Sequence, residues 1–412
     1  MGSNLLNSRK ESVSHQYGRL CIFFILLSSI IQSYWGFVRN ATPFWKAIIA
    51  VLCWLSIYYA FLLSKRIRLL PQYVKTAYVI MLFIMIVGFF RSLLFTHVLA
   101  GNRFVVLFSN VYAALNVATI VFLLSVHDFS HLKYLYKGTL ALIVCSVIFL
   151  PFNYGKITHS YSLSFILTYI IIFFPYVSVR NKFYILFGIA ISFLAFLGGG
   201  RQVGLTLIFV SLAYFSSQFL SKKKIFILSL LLIVTPLMFI YFYDSIGSIF
   251  RLLSNEFSQD ENMSSDTRTF LYLEFFEDFR GKTLWDMLFG QGSIAYYYSF
   301  YFDAGEGFIE NRRRFGIEIP ILQWIMQCGV VFVICFTYIV YQSVNKLYRC
   351  GNNSICKMAM ILISGYYFSC YVSNFNGCNI SHLGFWLLVS ISFNDMLLQM
   401  PDSKINLLLN KW

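Results

Sequence analysis

The pattern along the chain is one of long apolar runs separated by short polar segments. A run of about 20 apolar residues is what an α-helix needs to cross a hydrocarbon core. Such runs stand near residues 20–38, 44–64, 76–95, 104–125, 138–152, 161–179, 183–197, 203–220, 225–243, 319–342, 358–374 and 380–398, the fifth and seventh being short. They predict an all-α, polytopic membrane protein of about twelve transmembrane helices, with residues 1–412 forming a single membrane domain. One interval breaks the rhythm. Residues 244–318 form a large loop inserted between the ninth and tenth helices. The first run follows Arg9, Lys10 and Arg19, shows no cleavable signal pattern, and is long enough to remain as an anchor.

The loop has its own pattern. Ser264-Ser265-Asp266 supplies small polar capping residues, and Thr267 to Phe279 follows with apolar and acidic residues interleaved. This predicts a surface helix, lying on the membrane or packed on the bundle and ended by Gly281. Gly290-Gln291-Gly292 reads as a turn, Ala295 to Phe302 is an aromatic run, and Arg312-Arg313-Arg314 precedes the tenth helix.

Composition and charge sharpen this picture. Hydrophobic residues make up 58% of the chain and charged residues 12%, which leaves too little charged surface for a soluble protein of this length. The net charge of +15 is scattered between apolar runs and builds no basic face, so nucleic acid is not an expected partner. It reports orientation instead. With the N-terminus inside, the inner segments hold 19 of the 32 Lys and Arg residues, and the short outer loops and helix ends hold 6. The prediction is N-in and C-in, with the long loop outside. Of the 17 acids, 13 lie between Asp244 and Glu318. Carboxylate chemistry on the outer side therefore has to use the loop. The 9 cysteines form no CxxC pair and suggest neither a disulfide framework nor a zinc site. No metal or nucleotide motif is present, and no cofactor is implied.

Candidate chemistry rests on arginines. Arg201 follows Gly198-Gly199-Gly200 in an outer hairpin, where a guanidinium suits a phosphate and glycines allow close approach. An interfacial arginine reaching for lipid headgroups fits the same position. Arg268 and Arg280 flank the loop helix, about 120° apart on an ideal helix, and either could simply pair with Glu274, Glu277 or Asp278. Arg312, Arg313 and Arg314 point in different directions, so one or two of them face a site or lipid headgroups. Glu310 and Glu318 bracket them, and Glu318 stands four residues after Arg314, a helical ion-pair spacing. Tyr297 and Tyr298 belong to an aromatic run that suits either sugar stacking or an interfacial belt. Arg91, near the outer end of the third helix, is a substrate contact or snorkels. His97, His159 and His382 map near the outer face, and the loop holds no histidine.

Taken in order, Gly199-Gly200-Arg201, Asp266-Thr267-Arg268, Leu288-Phe289-Gly290-Gln291-Gly292, and Gly316-Ile317-Glu318 through Gln323 and Gly329 resemble the O-antigen polymerase (Wzy-type) and ligase superfamily. Arg280 to Gly290 also fits an Arg-x9-Gly spacing of these polymerases, whereas Arg201 lacks the Arg-x10-Gly spacing because Leu212 stands there. The resemblance implies a GT-C-like bundle in the bacterial inner membrane, with its active site facing the periplasm. It implies undecaprenyl-diphosphate-linked oligosaccharide as donor and acceptor, membrane lipid as surroundings, and a chain-length regulator protein as partner. Arg201 and Arg268 or Arg280 would hold the diphosphate without a metal, and the displacement would invert the anomeric centre. Glu310 is the candidate base, with Arg312, Arg313, Arg314, Tyr297, Tyr298 and Arg91 as substrate contacts. The ligase branch uses a loop histidine, which is missing here and favours polymerase. A lipid-linked oligosaccharide flippase suits the span count but has no need of the acidic loop. An acyltransferase would call for a histidine base.

Overall fold

The computed structural model describes residues 16–28, 30–31, 43–62, 70–94, 129–149, 170–197, 201–241, 269–298, 309–310, 313–314, 316–317, 319–372 and 380–409. The chain is predominantly helical. Its helices are α1 (Gln16–Ser28), α2 (Pro43–Leu62), α3 (Gln72–Leu94), α4 (Phe129–Phe149), α5 (Val179–Leu197), α6 (Arg201–Phe219) and α7 (Lys222–Tyr241). In the loop lie α8 (Thr269–Arg280) and α9 (Leu284–Phe289), and then come α10 (Pro320–Cys350), α11 (Ser354–Ser369), α12 (Ile380–Ile391), α13 (Asp395–Gln399) and α14 (Asp402–Leu409). Among the described residues, two stretches, Gln72–Ser92 and Pro320–Cys350, are long and apolar enough to cross a membrane. The run near 104–125 lies outside the described residues.

Three features depart from the sequence pattern. The run at 161–179 does not continue as a helix to its end. It narrows to a 3-10 turn at Ile171–Phe173 and to bonds from Phe174 N to Ile171 O and from Tyr176 N to Phe173 O. Pro175 explains this, because it offers no N–H to the helical ladder. The tenth helix is broken inside, at Gly329. The loop also contains a small antiparallel sheet of β1 (Tyr297–Tyr298), β2 (Ile309–Glu310) and β3 (Arg313–Arg314), in the order β1-β3-β2.

The core lies where α10 and α11 meet α3, α6 and α7. Phe336 of α10 sits among Trp324, Tyr367, Phe385 and Trp386, with ring centroids 4.9 to 5.8 Å away. A Cβ on Gly365 would come within 2.6 Å of the Phe209 ring, so α6 and α11 touch nearly backbone to ring. These two helices run antiparallel. Lys357 Nζ donates to Ser217 O (3.5 Å) at one end, and Phe209 meets Phe368 farther along. The Arg201 end of α6 therefore points toward the Tyr371 end of α11. Large apolar side chains such as Phe83, Phe183, Ile208, Phe215 and Leu231 cover the outward faces of α3, α5, α6 and α7.

The two ends of the bundle differ. At one end Lys346 pairs with Asp395 (2.8 Å), and Lys222 lies 5.7 Å over the Tyr348 ring. Asp402 accepts bonds from Ser354 N (3.0 Å), Ser354 Oγ (2.9 Å) and the Tyr176 hydroxyl. Asn353 caps α11 through Cys356 N and donates to Leu397 O (2.9 Å) and Met400 O (3.0 Å), which clasps the C-terminal helices onto this end. At the other end Ile321 N bonds Cys370 O (3.1 Å), and the loop elements dock.

Candidate functional site

The break in α10 is held open by the loop. Gly329 has φ +79, which only glycine adopts without strain. The carbonyls of Met326 and Gln327, which an unbroken helix would pair four residues on, instead accept Gln291 N (2.9 Å) and Gly292 N (3.0 Å). Gly290 (φ +76) and Gly292 (φ +97) supply the matching turn. The backbones touch. A Cβ on Gly290 would lie 2.2 Å from Gln327 O, and one on Gly329 would lie 2.2 Å from Leu288 O. The third partner is α3, where Gly88 lies against Gly292 and Ser92 Oγ accepts from Ile294 N (3.3 Å) while donating to Gly88 O (2.8 Å). The Gly-Gln-Gly turn and the Gln323-to-Gly329 stretch, far apart in sequence, are thus one structure. Gln323 and Gln327 are buried in it. Gln327 Nε2 donates to Ser293 O (3.1 Å), and Gln323 Oε1 accepts from Ile317 N (2.7 Å).

Arg91 closes the same junction. Its Nη1 donates to Gly290 O (2.6 Å) and its Nη2 pairs with Asp286 Oδ1 (2.6 Å). Asp286 is itself placed by Thr283, whose hydroxyl caps α9 by accepting Asp286 N (3.2 Å) and donates to Asp286 Oδ2 (2.8 Å). Both of these contacts of the guanidinium are to the loop. Its carboxylate partner was hidden from pattern reading, although Thr283-x-x-Asp286 is a legible capping sequence.

The loop helix α8 packs on the bundle. Leu271, Glu274 and Phe275 are buried, and the Tyr272 hydroxyl donates to Tyr371 O (2.5 Å) at the end of α11. Gly281 ends it, with Gly281 N bonding Asp278 O (3.1 Å). Phe275 also meets Tyr297 edge-on at 6.4 Å. Tyr297 is fully buried, while Tyr296, just before β1, and Tyr298 stand perpendicular with ring centroids 5.5 Å apart. Arg313 lies 5.0 Å over the Tyr296 ring. Lys282 lies 5.3 Å from the Tyr296 ring and 5.9 Å from the Tyr298 ring, and pairs with Asp278 at 2.9 Å.

The sheet register aligns the rest. Tyr298 stands opposite Arg313, and Arg313 stands opposite Glu310. Arg314 stands opposite Tyr297 and Ile309. Tyr298, Arg313 and Glu310 thus occupy one cross-strand row of backbone positions. Hydrogen bonds from Tyr296 and Arg313 hold the Tyr298 phenol below the usual tyrosine range. Burial, then the bond to Tyr298, raises Tyr296.

Arg280 is exposed at the last residue of α8 and makes no ion pair among the described residues, since Asp278 takes Lys282 instead. Arg201 opens α6 at the end of the bundle that carries α8. Arg268, Arg312, Glu318, His97 and His159 lie outside the described residues. Sequence reading did not single out Lys282 or Asp286, and named Tyr296 only as part of the aromatic run. The period-two alternation of a strand would have paired Tyr296 with Tyr298, but nothing in the aromatic run marked it as a strand. No known protein family, curated protein or solved structure matches this chain.

Proposed function

We propose that this protein is a bacterial inner-membrane glycosyltransferase that polymerises undecaprenyl-diphosphate-linked oligosaccharide repeat units at the periplasmic face. In this reading the bundle spans the membrane about twelve times, N-in and C-in, with the loop outside. The observation that carries it is the Tyr298–Arg313–Glu310 row on the docked loop sheet, at the end of the bundle that also bears Arg201 and Arg280. Tyrosine rings suit sugar C–H faces, and their hydroxyls suit sugar hydroxyls. Fixed guanidinium groups suit a diphosphate whose charge grows as it departs.

The proposed step is a single displacement. An acceptor hydroxyl oxygen attacks the anomeric carbon of the lipid-linked donor and forms the new glycosidic bond. The bond from that carbon to the diphosphate oxygen breaks, and the electron pair leaves on the diphosphate. Glu310 takes the hydroxyl proton. Arg201 and Arg280, with Arg268 as the other loop candidate, offset the leaving charge. The row also favours Tyr296 over the buried Tyr297 as the second sugar-facing ring. Arg91 acts through the loop it holds.

The test is purified protein supplied with lipid-linked repeat unit, with products resolved on a gel. A ladder is expected from the native chain, and none from Arg201→Ala or Arg280→Ala at equal folded yield. An unchanged ladder from both variants would remove the arginines from the mechanism. Single transfer to lipid A core would make the protein a ligase, and translocation without new glycosidic bonds would make it a transporter.

A further inference from the structure

Among the described residues, the loop contains an element whose apolar side chains are largely exposed. In α9 Leu284 is 72% exposed and Trp285 is 57% exposed, and the Trp285 ring leans on Phe289 at 4.5 Å. A two-turn helix in a solvated loop has no reason to present its bulkiest residues outward. Its position supplies one. Asp286, the next residue, is gripped by Arg91 at the outer end of α3. Val79, Phe83, Ile86 and Phe90 form an exposed stripe along α3 at helical spacing, and it ends beside Arg91, with Phe83 65% and Phe90 60% exposed. The Arg91–Asp286 pair therefore brings α9 to the end of an α3 that is apolar and long enough to cross a membrane. Exposed Arg280 stands four residues before Leu284, and Lys282, paired with Asp278, two residues before it. A tryptophan beside cations at the end of an apolar stripe matches the chemistry of the headgroup layer, where an indole buries its ring and keeps its N–H wet.

We infer that α9 is an interfacial anchor, with Leu284 and Trp285 seated in the headgroup layer of the leaflet at the loop end of the bundle. The inference rests on the membrane-spanning reading above. α8 is the packed helix of the loop and α9 is its lipid-facing one. The anchor also sets the depth of Arg280, four residues before Leu284, at the level where lipid phosphates lie. The Arg91–Asp286 pair is then a strut, tying the anchor to α3.

Tryptophan quenching in phosphatidylcholine nanodiscs tests this, with lipids brominated either near the headgroup or near the chain ends. The Trp285 contribution is the difference between the native protein and Trp285→Phe, a mild change at an exposed ring. Half-buried Trp54, in the apolar helix α2, is the internal reference through Trp54→Phe. The expected result is that headgroup-proximal bromines quench the Trp285 component more than deep ones, and that this component is shielded from aqueous iodide. Quenching of Trp54 but not of Trp285 by lipid, with Trp285 open to iodide, overturns the anchor and leaves the bundle in the membrane. Stronger quenching of Trp285 by deep bromines overturns the headgroup placement. If neither tryptophan responds to lipid, the spanning reading falls, and the anchor with it.

Discussion

Gly329 carries more of the site than any charged residue, because its conformation decides where the loop can sit. A side chain there would face two costs at once. With φ +79 and ψ 174 this position sits in a region essentially only glycine adopts, which costs another residue about 1–3 kcal/mol, and its Cβ would lie 2.2 Å from Leu288 O, a backbone atom that cannot rotate away. Gly329→Ala is expected to destabilise the loop junction by about 3 kcal/mol or more, as does strain added to a close backbone contact. Gly290→Ala should behave alike, since its Cβ meets Gln327 O at 2.2 Å. Gly281→Ala is the control. Its Cβ meets only Asp278 O at 3.4 Å, an ordinary contact, so a change within about 0.5 kcal/mol is expected. Thermal unfolding in detergent, with protease cleavage of the loop as second readout, checks all three. Equal effects at Gly281 and Gly329 would show that the close contact is not what holds the loop.

At the scale of elements, the sheet is where the chemistry gathers and where sequence reading stopped short. Most of the described helices were legible as apolar runs too long for a strand, and Thr269–Arg280 because its polar start and Gly281 bracket it. The strands were not. Each has only two residues, and their pairing is set by docking on Phe275 and by the broken α10 rather than by any alternation in the chain. So Tyr297 and Tyr298 were named together, although consecutive strand residues face opposite ways. The break at Gly329 was equally hidden, since a glycine inside an apolar run looks like any other until a second backbone approaches it. The sheet makes its own prediction. Bonds from Tyr296 and Arg313 lower the Tyr298 phenol pKa, so the folded state gains stability as pH rises through the lowered folded value toward the unfolded one, and loses that increment as pH falls. In an alkaline absorbance titration, Tyr298→Phe should remove a phenol that ionises below the ordinary tyrosine range. Arg313→Gln should move that phenol upward while leaving it present. Identical titrations for native protein and Tyr298→Phe would show that the row does not act on this phenol.

Across the whole molecule, charge and docking divide the two ends of the bundle in the same sense. The lysines of the 222–224 segment, Lys346 and Lys357 collect at the end clasped by Asn353 and Asp402. At the opposite end stand the loop, Arg91, Arg280 and the start of α6. Cations are retained on the side that does not cross during insertion, so the lysine end should be cytoplasmic and the loop end outside. On the proposed glycosyltransferase reading, a site using Glu310 and the loop arginines would act on lipid-linked substrates only after they reach the outer leaflet. Sidedness can be read directly from two exposed positions, Glu277 on α8 and Lys223 at the start of α7. The described native cysteines are buried or half-buried, which keeps the background low. In cells with a permeable outer envelope and an intact inner membrane, a maleimide that cannot cross the inner membrane should label Glu277→Cys and spare Lys223→Cys. Opening the inner membrane should label both. Labelling of Lys223→Cys alone would invert the topology and place the arginines in the cytoplasm. Equal labelling before the inner membrane is opened would put the two ends on one side, which a bundle that spans the membrane with the loop at one end does not allow.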